Sequence, residues 1–349
     1  MRYLACRMAG WLQFPFMGAQ APLRGHVVDT RAYARRSGLE FTELDPPRPQ
    51  GSRTAPATFV TVVPQGRLLF DYGAVVTPDH RLLGEVSPPL GGPVWMHRAL
   101  YERGLPRPER VAGTLAVLSS QAHQRYFHWM TDVLPRIELL RRADVAVDHY
   151  AVNLQAPFQR ETLAWLGLPP DRLIDLSREG QIVADRLAAP SLPGEIGAPT
   201  WETCRFLRET FLLGAADRRP ELRLYVRRRD ALTRRVVNEE EVLAALVPLG
   251  FEAVDLERLS VAAQVDLFAR AAVVVGPHGA GMTNLVFCPP GAGLVEFMPR
   301  TYFNPCFEIL AGHVGARYRR LPAESVSAKT HDQWMDPAVL ERALAELLR

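Results

Sequence analysis

Residues 271–298 read AAVVVGPHGAGMTNLVFCPPGAGLVEFM. No other stretch narrows the folds open to this chain so far. AAVVVG is apolar at every position, the pattern of a strand covered on both faces. GLVEFM repeats that pattern after a glycine-rich turn and a short run, MTNLVF, that reads as helix. A strand, a helix and a strand in so few residues form a βαβ unit, which requires a parallel sheet with helices packed on it. Gly276, Gly279 and Gly281 crowd around one histidine, His278. Each glycine costs backbone entropy on folding, so something at this turn needs the backbone itself or a close approach to it.

The same alternation runs through much of the chain. GTLAVLSS reads as a strand, QAHQRYFHWMTDVLPRIELLRR as a helix bent or broken near Pro135, HYAVNL as a strand, FQRETLAWLGL as a helix and RLIDL as a strand. A proline-bearing link, APSLPGEIGAP, precedes the helix WETCRFLRETFLLG. Alternation then resumes through LRLYVRRR, NEEEVLAALVPLG, FEAVDL and SVAAQVDLFARA to the glycine turn, and PCFEILAGHVG follows as a helix. We therefore expect an N-terminal α/β domain over residues 1–195 and a second one over 196–330. A terminal amphipathic helix in 331–349, with Pro337 near its first turn, is a candidate to brace the first domain. Residues 1–110 carry proline-rich turns between short apolar runs and read as small strands and loops.

Composition closes several routes. The formal net charge is +3, too small to argue for nucleic acid. Lys329 is the only lysine, so neither a phosphate-loop lysine nor a Schiff-base lysine is available in the main body. The four cysteines, Cys6, Cys204, Cys288 and Cys306, have no short paired spacing, which suits buried thiols in a reducing compartment. The first residues, MRYLACRMAGWLQFPFMG, are interrupted by Arg2 and Arg7 and show no cleavage pattern. No run reaches the roughly 18 apolar residues of a spanning helix. A cytoplasmic protein is expected, with the inner face of a membrane as a place of peripheral association.

Ligands in open parallel sheets sit beyond the carboxyl ends of the strands, where residues 276–283 fall. A helix start there aims free N–H groups at the turn, an arrangement that suits phosphate. His278 adds a donor, Thr283 and Asn284 are contact or capping residues, and Glu296, at the end of the next strand, suits sugar or ribose hydroxyls. Arg227, Arg228, Arg229, Arg234 and Arg235 lie within nine residues after LRLYV and predict a positive cleft for a diphosphate. Asn238 and Glu241 read as a capping box, and Gln264 as a solvent-facing residue. In QRYFHWMTDVLPR, His128, Asp132 and Arg136 share a helix face. Tyr126, Phe127 and Trp129 beside them are candidates to stack on a sugar, and Asp132 is a candidate general base with His128 as its rival.

Four blocks carry a family resemblance in order: YFHWMTDVLPR, YVRRRDALTRRVVNEEEV, AAQVDLFARA and VVVGPHGAGMTNLVFCPPGAGLVEFMP. Over residues 112–320 the chain resembles glycosyltransferase family 61, in the form of its bacterial capsular-polysaccharide-type members. The resemblance implies a GT-B arrangement of two Rossmann-like domains facing across a cleft. It implies an inverting transfer from a nucleotide-sugar donor, UDP-linked, to a saccharide, a lipid-linked glycan or another hydroxyl acceptor, with no cofactor and no essential metal. Carried onto this sequence, the donor site is Arg228, Arg234, His278, Gly279, Ala280, Gly281, Met282, Thr283, Asn284 and Glu296, and the catalytic pair is Asp132 and His128. The residues themselves offer no Asp-x-Asp pair for a metal-bridged diphosphate, so positive protein groups must carry the leaving charge. An esterase would need a G-x-S-x-G elbow, which is absent. A dinucleotide fold would need G-x-G-x-x-G at its first turn, also absent. The alternative is a non-catalytic nucleotide-sugar- or glycan-binding protein of the same fold.

Overall fold

The chain divides into two units, Met1–Ile196 and Gly197–Arg349. The computed structural model describes residues 27–50, 53–69, 71–101, 107–177, 180–212, 219–229 and 231–348. The sequence readings on the first residues, Cys6 included, lie outside that range.

In the first unit the strands expected at GTLAVLSS, HYAVNL and RLIDL form as Pro108–Leu118, His149–Val152 and Leu173–Asp175. They pair in parallel, side by side in that order. A fourth strand, Gln181–Pro190, pairs in parallel on the far side of Pro108–Leu118. The parallel order is thus third, second, first, fourth. This last strand was not read from the sequence, because Asp185 and Arg186 interrupt its apolar pattern where the ladder shifts register between Ala184 and Arg186. Its free edge continues antiparallel into Thr58–Pro64 and Arg67–Leu69. Inward-facing Phe59, Val63, Leu115, Val117, Leu187 and Ala189 build one core across the parallel and antiparallel strands. The short strands expected before residue 110 are there, together with a helix, Thr30–Ser37, capped by Asp29 and closed by Gly38 at φ 64°. That helix has too few apolar residues to announce itself by periodicity.

The second unit is a parallel sheet in the order Phe251–Val254, Leu222–Val226, Ala271–Pro277, Gly293–Pro299, Arg317–Ser325. A short antiparallel strand, Gln333–Trp334, closes the edge. Numbered along the chain, the parallel strands run 2-1-3-4-5. This doubly wound order reverses direction between Leu222–Val226 and Ala271–Pro277, the place where such sheets hold ligands. Arg317–Ser325 was missed because only two of its side chains are buried and Pro322 lies within it. Asn238 does not cap the following helix. Its amide donates to Glu241 Oε2 (2.9 Å) and to the Met335 carbonyl (2.9 Å), and its oxygen accepts from the Met335 N–H (3.0 Å). That exchange pins the start of the terminal segment. The terminal helix Pro337–Leu347, capped by Asp336, then buries Leu340, Ala343 and Leu344 against Val242, Leu246 and the sheet of this second unit. Cys204, Cys288 and Cys306 are free and buried, and burial pushes the Cys204 and Cys288 thiols up to about 12.

Candidate active site

The second unit's reversal point brings the end of Leu222–Val226 beside the glycine turn. The positive cleft of five arginines expected from the sequence reduces to two. Arg227 pairs with Glu239 (3.0 Å) and Asp255 (3.8 Å), Arg229 with Glu239 (3.4 Å), and Arg235 with Asp332 (2.9 Å). Among the described residues, Arg228 and Arg234 have no carboxylate in salt-bridge contact. Arg228 donates from Nη2 to the Thr233 carbonyl (3.0 Å), and its Nε is buried with no partner. Burial, reinforced by the like charge of Arg234, lowers its guanidinium to about 10. Arg234 donates from Nε to the His278 carbonyl (3.1 Å) and lies 4.7 Å over the Tyr302 ring. Its backbone is left-handed, φ 57°, and its N–H donates to the Thr330 carbonyl (2.8 Å). A bulky residue held in that region is strained. Here the strain sets a guanidinium beside a second one, a pairing that an anion would relieve.

The glycines answer the question posed by their spacing differently from what their flexibility suggests. Gly279 is extended, φ −173°, a conformation open to any residue. A Cβ on it would lie 2.0 Å from Arg228 Nη1. One on Gly281 would lie 2.8 Å from Leu256 Cδ1. The turn is bare so that neighbouring side chains can lie against it. Beyond it the chain enters a 3-10 helix, Ala280–Phe287, whose first N–H groups, on Ala280 and Gly281, have no partner within the helix.

Met282, Thr283, Asn284 and Glu296, carried over as donor contacts, turn inward. Met282, Thr283 and Asn284 are buried. Thr283 Oγ1 donates to the Ala280 carbonyl (2.6 Å). Asn284 donates to Gln264 Oε1 (2.7 Å), and Gln264 in turn donates to the carbonyls of Leu256 (2.9 Å) and Leu259 (3.1 Å). Gln264, expected to face solvent, is therefore the buried centre of a network that holds Leu256 against Gly281. Glu296 is 0% exposed. Its Oε1 lies 2.5 Å from His278 Nδ1, and its Oε2 accepts from the Tyr318 hydroxyl (2.6 Å). Sugar hydroxyls have no access to it; its role is to hold the histidine. With Nδ1–H donated to the carboxylate, Nε2 is the nitrogen left for a ligand. The ring is fixed between Tyr302 (5.1 Å) and Phe307 (4.9 Å). Tyr318 and Tyr302 escaped sequence reasoning. The available signal was the aromatic pair Tyr302–Phe303, one residue beyond GLVEFMPR.

In the first unit, Pro108–Leu118 leads to the stretch that carries His128. Tyr126–His128 begins an α-turn, and Trp129–Val133 continues as a π-turn closed by the Leu134 N–H on the Trp129 carbonyl (3.0 Å). Pro135 brings no N–H to the ladder, and Arg136–Arg142 restarts the α-helix. The expected bend is thus a π-turn. His128 Nδ1 lies 2.7 Å from Asp132 Oδ2, and the Thr131 hydroxyl, with its one proton, lies 2.9 Å from the Phe127 carbonyl and 3.0 Å from Asp132 Oδ1. Asp132 Oδ2 is thus engaged by the histidine, while His128 Nε2 has no partner among the described residues. The expected polar stripe stops there. Arg136 is buried and donates to the carbonyls of Ser119 (2.8 Å) and Val86 (3.3 Å); burial lowers it to about 10, with Asp132 opposing. The aromatic residues predicted to stack on sugar are largely packing residues. Trp129 is buried with Nε1 donating to Thr162 Oγ1 (2.8 Å), Phe127 is buried, and Tyr126 meets Phe158 edge-on at 5.3 Å.

Among the described residues, no group of three or more His, Cys, Asp or Glu could hold a metal ion. No helix among them is long and apolar enough to cross a membrane.

The family model "Glycosyltransferase 61" matches residues 126–295, from the His128 turn to the residue before Glu296. Alpha-1,3-arabinosyltransferase XAT3 of Oryza sativa subsp. japonica is 30% identical over 151 residues, which cover 37% of this chain and 25% of the relative. Beta-1,2-xylosyltransferase of Arabidopsis thaliana is 27% identical over 148 residues, 36% of this chain and 26% of the relative. The EGF domain-specific O-linked N-acetylglucosamine transferase of Drosophila melanogaster is 36% identical over 89 residues, 25% of this chain and 17% of the relative. The matches thus span about a quarter or less of the curated relatives' length. Residues 126–295 are thus the part of this chain that is similar to glycosyltransferase family 61.

Proposed function

We propose that this chain transfers a sugar from a nucleotide-sugar donor to a hydroxyl of a saccharide acceptor, by one displacement that inverts the anomeric centre. The observation that carries the reading is the guanidinium pair Arg228 and Arg234, without a carboxylate partner at the reversal point of a doubly wound sheet. An anion with two phosphates suits that pair. His278 Nε2 and the N–H groups of Ala280 and Gly281 add donors around it. The printed activities of the relatives, arabinosyl, xylosyl and N-acetylglucosaminyl transfer, support pentoses and N-acetylglucosamine as candidates for the sugar. UDP is the nucleotide we assign, and GT-B the architecture.

The proton route follows from the first unit's dyad. Asp132 Oδ2 faces His128 Nδ1 at 2.7 Å, so we assign the carboxylate the orienting role and give the base role to His128 Nε2. The acceptor oxygen attacks the anomeric carbon as its proton passes to His128. The bond from that carbon to the donor's phosphate oxygen breaks, and the electron pair leaves with the diphosphate. Arg228 and Arg234 stabilise the charge that develops there, the task a metal performs in other transferases.

Calorimetric titration with UDP and with uridine tests the reading. UDP is expected to bind wild type far more tightly than uridine, and Arg234→Ala is expected to remove most of that difference. Equal binding of the two ligands by wild type would refute the diphosphate assignment.

A further inference from the structure

The loop that follows Gly293–Pro299 carries an aromatic ring that no step above uses. Phe303 is 65% exposed, a large apolar surface at the carboxyl end of the sheet. It is braced from one side: the Arg320 guanidinium lies 4.8 Å from its ring centroid. Arg320 stands opposite Glu296 in the parallel ladder, two residues beyond Tyr318 on the same strand. Side chains two apart on a strand share a face. Arg320 is therefore on the face that carries the Tyr318–Glu296–His278 chain, one step nearer the ligand edge.

The neighbour in sequence, Tyr302, lies under Arg234 at 4.7 Å and beside His278 at 5.1 Å. The pair Tyr302–Phe303 therefore links the phosphate-binding arginine to Arg320. The strand bearing Arg320 is two places from Ala271–Pro277, which His278 follows, a separation of about 10 Å at ordinary strand spacing. That span matches the reach of a nucleoside from its phosphates to its base.

We propose that Phe303, held by Arg320, is the platform on which the nucleobase of the donor stacks. The proposal rests on the diphosphate reading of Arg228 and Arg234, and it adds the direction in which the nucleoside lies: from the histidine strand towards Arg317–Ser325. One face of the ring is braced by a cation and the other is open. A flat π-system is the ligand group that such a surface fits.

The test is calorimetry on the full chain with UDP, GDP, inorganic pyrophosphate and a UDP-sugar. Phe303→Ala is expected to weaken UDP by about 5- to 150-fold, the range for losing one base–aromatic stack. Pyrophosphate, which has no base, is expected to bind wild type and variant alike. Phe303→Trp is expected to retain UDP binding and Phe303→Leu to lose it. If UDP binds wild type and Phe303→Ala equally, the platform is refuted while the diphosphate reading stands. A parallel loss of pyrophosphate also refutes it, because Phe303 would then act on the phosphates. A loss confined to the UDP-sugar would move the ring to the transferred sugar and refute the nucleobase assignment. Failure of wild type to bind any of UDP, GDP and pyrophosphate would overturn both readings together.

Discussion

Gly279→Ala isolates the contact on which the proposed donor site depends. The added Cβ would lie 2.0 Å from Arg228 Nη1 and 2.9 Å from its Cζ, distances no real pair of atoms sustains. The atoms in its way are the far end of a long side chain, so the backbone can stay and the guanidinium must swing aside. Gly279 is already extended, so alanine adds no backbone strain, and the melting temperature should change little. The loss appears in binding. A charge-assisted hydrogen bond contributes about 1.5–3 kcal/mol, so UDP affinity should fall roughly 10- to 150-fold. The assay is a double-mutant cycle by calorimetry with wild type, Gly279→Ala, Arg228→Ala and the double variant. If the glycine matters because it admits Arg228, the alanine has little further effect once Arg228 is gone, and the coupling nearly equals the single-variant loss. Equal losses in both backgrounds would refute the reasoning, as would full affinity in Gly279→Ala.

His128→Gln is expected to lower turnover about 10²- to 10⁴-fold at unchanged UDP affinity, and near-normal turnover would return the base role to Asp132. Tyr318→Phe leaves a buried Glu296 oxygen without its 2.6 Å donor and should destabilise the protein by about 1–3 kcal/mol in chemical denaturation; a variant as stable as wild type would remove that hydrogen bond from the account. Acid should destabilise the first unit through His97, whose imidazole is buried, accepts the Ala99 N–H on Nδ1 (3.1 Å) and is lowered by burial from 6.5 to about 4. A depressed folded value means that the unfolded chain takes up the proton first, so stability present above 6.5 is lost as pH falls towards 4, by about 3 kcal/mol in all. His97→Gln should flatten the fall of melting temperature between those pH values, and an unchanged slope would exclude His97 as its source.

Much of the sheet architecture is local and was legible. AAVVVG, GLVEFM and LRLYV are apolar enough to demand burial on both faces, and the runs between them have helical period, so βαβ units follow from residues within a few positions of each other. The strands Gln181–Pro190 and Arg317–Ser325 were not legible, because charged residues or a proline break their pattern and only their neighbours in the sheet make them strands. The candidate site divides the same way. The glycine turn with its histidine is one contiguous stretch and the arginine run is another, and each points to an anion. Which arginines are left for it was decided by carboxylates brought in by folding: Glu239 and Asp255 against Arg227, and Asp332, 97 residues away, against Arg235. Glu296 became a support for His278 rather than a ligand contact because the parallel register sets it between His278 and Tyr318 with no exposed surface. A sequence records which side chains can carry charge. Whether a charge is compensated depends on atoms within a few ångströms, and only the tertiary structure brings those atoms together.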